Sequence, residues 1–287
     1  MSNGCICWVI ALPSEAKTLI EEFKMFPIQG DTLFPVYKNK NEDEWLIITG
    51  VGQLNATSGV SYLYSLCPYA RTSFWINFGI AGAGKKVGNI GDIFFINELR
   101  NYDHDKVHYP FILPQLKIKS AMLKTYDKPQ NNYQNSFLFD MESWGFYNII
   151  QRKITRELIA IIKIISDNSI ETISSISKDF VKKLVKEKVE YLVSLRDIGY
   201  SLSRIEMERK KEPYLFSYIT KNIHFTFSQR EQLKKFLIRW DVHFPKRPLF
   251  PEIKDLKDAK SVLGLSLIHI SEPTRPLYIS YAVFCLK

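Results

Sequence analysis

Four short apolar runs within the first hundred residues, each bounded by a turn-forming segment, constrain the fold more than any other feature of the chain. Cys5–Ala11, Trp45–Thr49, Thr72–Phe78 and Asp92–Ile96 read as strands. The second ends in Gly50-Val51-Gly52, the third runs into Gly79-Ile80-Ala81-Gly82, and the fourth is entered through Gly91. Between them, Ser14–Phe23 places Ala16, Leu19, Ile20 and Phe23 at helical spacing, and Leu54–Leu66 reads as a second helix with small residues on one side. Strand, helix, strand and helix in this order predict an α/β fold with a mainly parallel central sheet.

Downstream, Pro110, Pro114 and Pro129 interrupt the pattern, and short strands are expected at Ile118–Leu123 and Phe137–Asp140. Glu142–Ile154 reads as a helix and Ala160–Ile165 as a buried strand ending in Ser166-Asp167. Lys178–Asp197 is strongly amphipathic, and a further helical region runs to Lys211, before Pro213. Ser228-Gln229-Arg230-Glu231 has the form of a capping box, in which the Ser and Glu side chains satisfy free amides at a helix start. It would open a helix to Trp240.

Composition excludes several classes. With 46% hydrophobic and 24% charged residues in 287, the chain is neither disordered nor a small disulfide-stapled scaffold. The apolar runs are too short to span a bilayer, no basic segment precedes the first of them as in a signal peptide, and four cysteines without metal-like spacing suit a reducing cytoplasm. The net charge of +9 is uneven, with 17 basic and 16 acidic residues up to Asn168 but 20 against 13 from Ser169 to Gly264. Interleaved acids favour a solvated helical face over an anionic partner. Leu265–Arg275, LSLIHISEPTR, resembles the translation of a sequencing adapter, so residues 265–287 are set aside as an artefactual tail, with His269 and Cys285.

Several motifs fall short. Gly79–Lys85 approximates a phosphate-binding P-loop, but Lys86 stands where a hydroxyl should hold magnesium, and a strand rather than a helix follows. Gly50-Val51-Gly52 lacks the third glycine of a dinucleotide fingerprint. Asp103, His104, Asp105 and His108 sketch a metal site without further ligands, and Cys5 and Cys7 read as buried thiols on one side of a strand. No metal or organic cofactor is expected. More telling are the acids beyond apolar strands: Glu15, Glu142 and Asp167. Ligands of parallel sheets bind beyond the carboxyl ends of the strands, so three carboxylates could meet in one cleft.

The run Trp75–Gly82, followed by Val87-Gly88-Asn89-Ile90-Gly91-Asp92-Ile93, resembles the core signature of the nucleoside phosphorylase superfamily. Ala11–Glu15, Thr49–Ala56, and Asp140-Met141-Glu142 followed by Ile165-Ser166-Asp167 are similar to its other motifs, in order, over residues 5–198. The likeness is greatest to the methylthioadenosine/S-adenosylhomocysteine nucleosidases. That resemblance implies a three-layer phosphorylase-type fold over residues 1–198, a basic helical extension over 199–264, a purine nucleoside substrate and a homo-oligomer.

It further implies that Glu15 activates water, Glu142 and the Met141 backbone bind ribose, and Asp167 protonates purine N7. Asn77, Gly79, Ala81, Gly82 and Ser166 would contribute to the substrate site. Asn77 stands where the phosphorylases carry a phosphate-binding arginine, and a neutral amide lacks that charged, bidentate grip, which favours water over phosphate.

The chain departs from the pattern in a short 103–142 region and in Pro129, which stands at the purine-stacking place. Phosphorolysis stays open as an alternative, as does a binding protein on a degenerate enzyme core. The extension carries Tyr214, Phe216, Tyr218, Phe225, Phe227 and Trp240 among its basic residues, a combination that suits nucleic acid. The favoured reading is a helical add-on that buries these aromatics, with Phe236, Leu237 and Trp240 as one apolar face.

Overall fold

The computed structural model describes residues 4–103, 105–170, 172 and 176–269, with side chains as far as 265. The chain divides into two compact units, the first ending at Arg209. No helix among the described residues is long and apolar enough to cross a membrane.

Among its described residues the first unit is built on ten strands: β1 (Ile6–Ile10), β2 (Phe26–Pro27), β3 (Val36–Lys38), β4 (Glu44–Ile48), β5 (Phe74–Ala83), β6 (Ile93–Asn101), β7 (Val107–His108), β8 (Lys119–Thr125), β9 (Leu138–Asp140) and β10 (Ile159–Asp167). The helices are α1 (Pro13–Glu22), α2 (Gln53–Leu66), α3 (Ser143–Ile150), α4 (Lys178–Glu187) and α5 (Val189–Lys210). The expected α/β architecture is present, and its sheet is mixed: β1 lies parallel to β4 and β5, and β10 parallel to β5, whereas β3–β4, β5–β9 and β6–β10 are antiparallel. The pairings β10–β6, β6–β8, β8–β9, β9–β5 and β5–β10 close a ring, so part of the sheet is a small barrel.

Burial explains the strand content. All residues of β1, β4 and β10 are buried, as strands covered on both faces must be. The Gly79–Gly82 segment is not a turn; β5 continues through it to Ala83. The glycines serve close approach: a Cβ at Gly79 would lie 2.9 Å from Glu15 Oε1, and one at Gly82 would lie 2.1 Å from the Phe139 ring. Gly52, at φ +104°, opens α2 in a conformation that side chains disfavour.

Two helical expectations shift. The helix read over Lys178–Asp197 is broken at Lys188, where α4 ends, and nothing in the sequence marks the break. α5 then runs past position 198, the boundary read from sequence, to Lys210. Its middle belongs to the first unit: the Ser203 hydroxyl accepts from the Cys5 amide at 2.8 Å and donates to Thr72 O at 2.7 Å, and Gly199 abuts Phe74.

The second unit contains α6 (Phe216–Asn222), α7 (Phe227–His243), α8 (Phe250–Ile253) and α9 (Ala259–His269) among its described residues. Its core is its own: Phe216, Ile219, Phe225, Leu233, Phe236, Leu237, Trp240 and Val262 are buried together. Phe216, Phe225 and Trp240 are therefore not presented for base stacking, whereas Tyr214 and Phe227 are exposed. The capping box lies two residues earlier than the sequence reading, with Thr226 accepting from the Gln229 amide and Gln229 accepting from the Thr226 amide. α9 crosses Gly264, and Cys285 and the His269 side chain lie outside the described residues.

Candidate active site

The carboxyl ends of several strands surround one cavity of about 310 Å³. Ala11 and Leu12 follow β1, Val51 follows β4, Ile80–Gly82 come from the end of β5, Phe139 to Glu142 from β9 and its exit, and Ser166 and Asp167 from β10. Glu15, on the first turn of α1, completes the set of acids.

Each carboxylate is held by backbone or hydroxyl donors. Glu15 accepts the Ile80 amide on Oε1 and the Leu12 amide on Oε2, both at 2.8 Å. Burial pushes its carboxyl above the ordinary range, against the pull of those amides and of the Lys163 charge. Glu142 accepts the Gly52 amide at 2.8 Å and the Met141 amide at 3.2 Å. Burial first, and then the charge of Asp140, push it up to about 7. Asp167 accepts from Ser166 Oγ at 2.6 Å and from Tyr133 OH at 2.9 Å. Burial raises its carboxyl too, although both hydroxyls favour the ionised form. Its direction is set by a β-bulge: Ile165 pairs with Ala81 and Asp167 with Gly82, leaving Ser166 as the extra residue.

Beneath the acids lies a buried cation. Lys163, set among the isoleucines of β10, places Nζ 3.0 Å from Asp140 Oδ2. Burial pulls its ammonium down, but Asp140, Glu142 and Glu15 outweigh that pull and hold it above its usual value. Asp140 also accepts from Thr125 Oγ1 at 2.8 Å and from the Ser143 amide at 3.0 Å. The arrangement gathers three carboxyls raised by burial around a space lined by few cations; exposed Lys128 is the basic residue on its wall.

No family profile matches the chain. A 5'-methylthioadenosine/S-adenosylhomocysteine nucleosidase of Maridesulfovibrio salexigens is 34% identical over 71 residues, which is 25% of this chain and 29% of that relative. The Campylobacter jejuni 5'-methylthioadenosine/S-adenosyl homocysteine nucleosidase superposes with a TM-score of 0.56 at 18% identity, covering 68% of this chain and 99% of the other. The chain has the fold of these nucleosidases. The Neisseria meningitidis nucleosidase in complex with methylthio-immucillin-A (TM-score 0.56, 15% identity, 68% and 99% covered) and a futalosine hydrolase mutant of Helicobacter pylori (0.52, 14%, 68% and 99%) share it.

Within this nucleosidase fold, Glu15, Ala81, Gly82, Met141, Glu142, Ser166 and Asp167 line the cavity together. Asn77 and Gly79 do not. Asn77 is buried, donating to Val9 O at 3.2 Å and accepting from Ser143 Oγ at 2.8 Å, so it ties β1 to α3. Gly79 lies under Glu15. The metal sketch dissolves at His108, which is packed between Trp144 and Tyr147 at ring distances of 4.7 and 5.0 Å; His104 lies outside the described residues.

Three residues escaped the sequence reading. Tyr133 bonds Asp167, Phe139 supplies an aromatic ring to the cavity wall that Pro129 also lines, and Lys163 neutralises the acids from below. Only Lys163 left a signal, as a lone charge inside a strand of isoleucines.

Proposed function

We propose that this chain is a purine nucleoside N-ribohydrolase of the methylthioadenosine/S-adenosylhomocysteine nucleosidase type. The observation that carries the reading is the convergence of Glu15, Glu142 and Asp167 on one cavity within that fold. In the proposed reaction the C1'–N9 bond breaks, its electron pair passes to the purine, and protonated Asp167 gives its proton to N7. Protonation of this kind makes a poor leaving group a good one. Water then bonds to C1' and loses a proton to ionised Glu15, a division of labour parallel to that of inverting glycosidases. Glu142 keeps lone pairs beyond those used by Gly52 and Met141, and these accept the ribose hydroxyls. Phe139 offers the purine an apolar face. The positive charge developing on the sugar is stabilised by buried carboxylates in a site sheltered from water.

Water rather than phosphate follows from the same surroundings. A phosphate at the ribose would face Glu15, Glu142 and Asp140, while Lys163 is already paired with Asp140. The fold is shared with a futalosine hydrolase as well as with the nucleosidases, so the 5' substituent is open to test. On the same resemblance the protein assembles as a homo-oligomer, which light scattering checks.

The deciding assay incubates the chain with methylthioadenosine, S-adenosylhomocysteine, adenosine and inosine, with and without phosphate, and follows free base chromatographically. Base release without phosphate is expected, and Asp167→Asn should reduce it by about 10²–10⁴-fold while leaving the circular dichroism spectrum unchanged. Release only with phosphate would make the protein a phosphorylase. No release from a folded sample would leave a binding protein on an enzyme scaffold.

A further inference from the structure

At the opposite end of β1 from the cavity, three thiols that the proposed reaction does not use lie together in the core. Cys5 immediately precedes β1, Cys7 lies within it, and Cys67 caps the end of α2. Their sulfur atoms lie within 4.8 Å of one another, with Cys5 Sγ and Cys67 Sγ at 3.7 Å, and all three residues are buried. We propose that Cys5, Cys7 and Cys67 form a site for one soft, thiophilic d¹⁰ cation of the Cu(I) or Zn(II) class.

Geometry carries the assignment. Metal–thiolate bonds of about 2.3 Å place sulfurs about 3.8 Å apart around a tetrahedral ion and about 4.0 Å apart around a trigonal one. The Cys5–Cys67 separation is close to that spacing before any ion enters. The three sulfurs are also fixed independently. The Cys5 amide donates to Ser203 Oγ at 2.8 Å, and its carbonyl accepts the Phe74 amide at 2.8 Å. Cys7 pairs in register with Trp45 and Trp75, and the Cys67 amide donates to Leu63 O at 2.9 Å.

Ligand chemistry narrows the ion. No histidine or carboxylate joins the cluster among the described residues, and Ser73 Oγ lies 3.8 Å from Cys67 Sγ. An all-sulfur set selects soft cations over magnesium, calcium or manganese, which prefer oxygen. Ser73 could supply a fourth ligand to Zn(II); Cu(I) would need none. As hydrogen-bonding partners the thiols serve one another poorly, because sulfur is a weak donor and a weak acceptor. A bound cation would give all three a strong partner and would join β1, the end of α2 and the approach to β5.

The test uses the full chain carrying Cys285→Ser, so that no fourth thiol competes. The protein is reduced, stripped of metal and titrated anaerobically with Cd²⁺, both folded and during refolding from urea, while thiolate-to-metal charge-transfer absorbance is followed. One Cd²⁺ per chain with a sharp endpoint is expected, together with a melting temperature that rises with free Cd²⁺. Displacement by Zn(II) or by Cu(I) then ranks the two candidates. Cys7→Ala should lose most of the absorbance while remaining folded by circular dichroism. A band of the same size in that variant, or no band and no thermal shift in either arm of the parent titration, would overturn the proposal. So would a Cys5–Cys67 disulfide forming in air in a chain whose reduced form ignores all three metals.

Discussion

Asp167 receives two hydroxyl donors while being asked to act as an acid, and the balance between them is open to experiment. Burial raises its carboxyl, whereas Ser166 and Tyr133 favour the ionised form. Tyr133→Phe removes one of those donors without changing the ring, so the carboxyl should rise further. In the proposed reaction the acid form protonates the purine, so the alkaline limb of the kcat profile should move to higher pH. The acid limb, which the same proposal assigns to ionisation of Glu15, should stay in place. An unmoved alkaline limb would mean that Asp167 is not the acid.

The placement of Asp167, Glu142 and Glu15 was legible because each follows an apolar run whose strand character is plain from pattern alone. Tyr133 and Phe139 were not, because they lie in or beside the irregular stretch between Asp103 and Glu142. There no periodicity tells which side chains turn inward. Asn77 was read as part of the substrate site, yet its motif position places it inside the core, and only the fold separates those outcomes.

At the scale of elements, β10 combines a buried cation with a terminal acid. Replacing Lys163 by Met keeps much of the side-chain volume but leaves Asp140, Glu142 and Glu15 without their common counter-charge. Breaking a buried pair in this way costs about 3–5 kcal/mol, so the urea midpoint should fall sharply. A second prediction concerns β4. Glu44 is buried, accepts from Trp8 Nε1 at 2.9 Å and from Tyr200 OH at 3.2 Å, and is pushed up to about 7, chiefly by burial. A carboxyl whose folded pKa is raised favours the protonated fold. Its contribution is therefore complete below the unfolded value and is lost as pH rises through about 7. The melting temperature should fall between about pH 5 and about pH 8, and Glu44→Gln, which stays neutral, should flatten that fall.

Element types were largely legible and their ends less so. The second capping box shows why: Thr226-Phe227-Ser228-Gln229 and Ser228-Gln229-Arg230-Glu231 both satisfy the pattern, and local chemistry alone does not rank two overlapping starts. The glycine-rich end of β5 misled for the opposite reason. Its glycines make room for Glu15 and Phe139 rather than for a reversal of the chain.

For the whole molecule, every residue lining the cavity belongs to the first compact unit. A chain ending at Arg209 should therefore melt cooperatively and retain base release. One ending at Ile198 should melt at a clearly lower temperature, because it loses the Ser203 bonds to Cys5 and Thr72 and the packing of Gly199 on Phe74. Calorimetry of the two truncations beside the full chain checks both expectations. Residues 5–198 contain all the motifs that resemble the nucleosidases, but no motif marks where the supporting helix stops. α5 is polar enough beyond position 198 to read as an appendage, because its buried residues there are Gly199, Ser203 and Glu206 rather than the leucines of its first half.

The ring of strands also imposes an order on synthesis. As the chain emerges from the ribosome, β5 can pair with β1 at once, but its other edge waits for β9 and β10. Through that interval a long, almost wholly buried strand presents unpaired amides and carbonyls, the kind of edge that recruits neighbouring chains. Slow translation between β5 and β10 would lengthen the exposure, and a chaperone that shields β5 would shorten its effect. The edge is sealed only when β10 arrives, and that strand ends in Asp167.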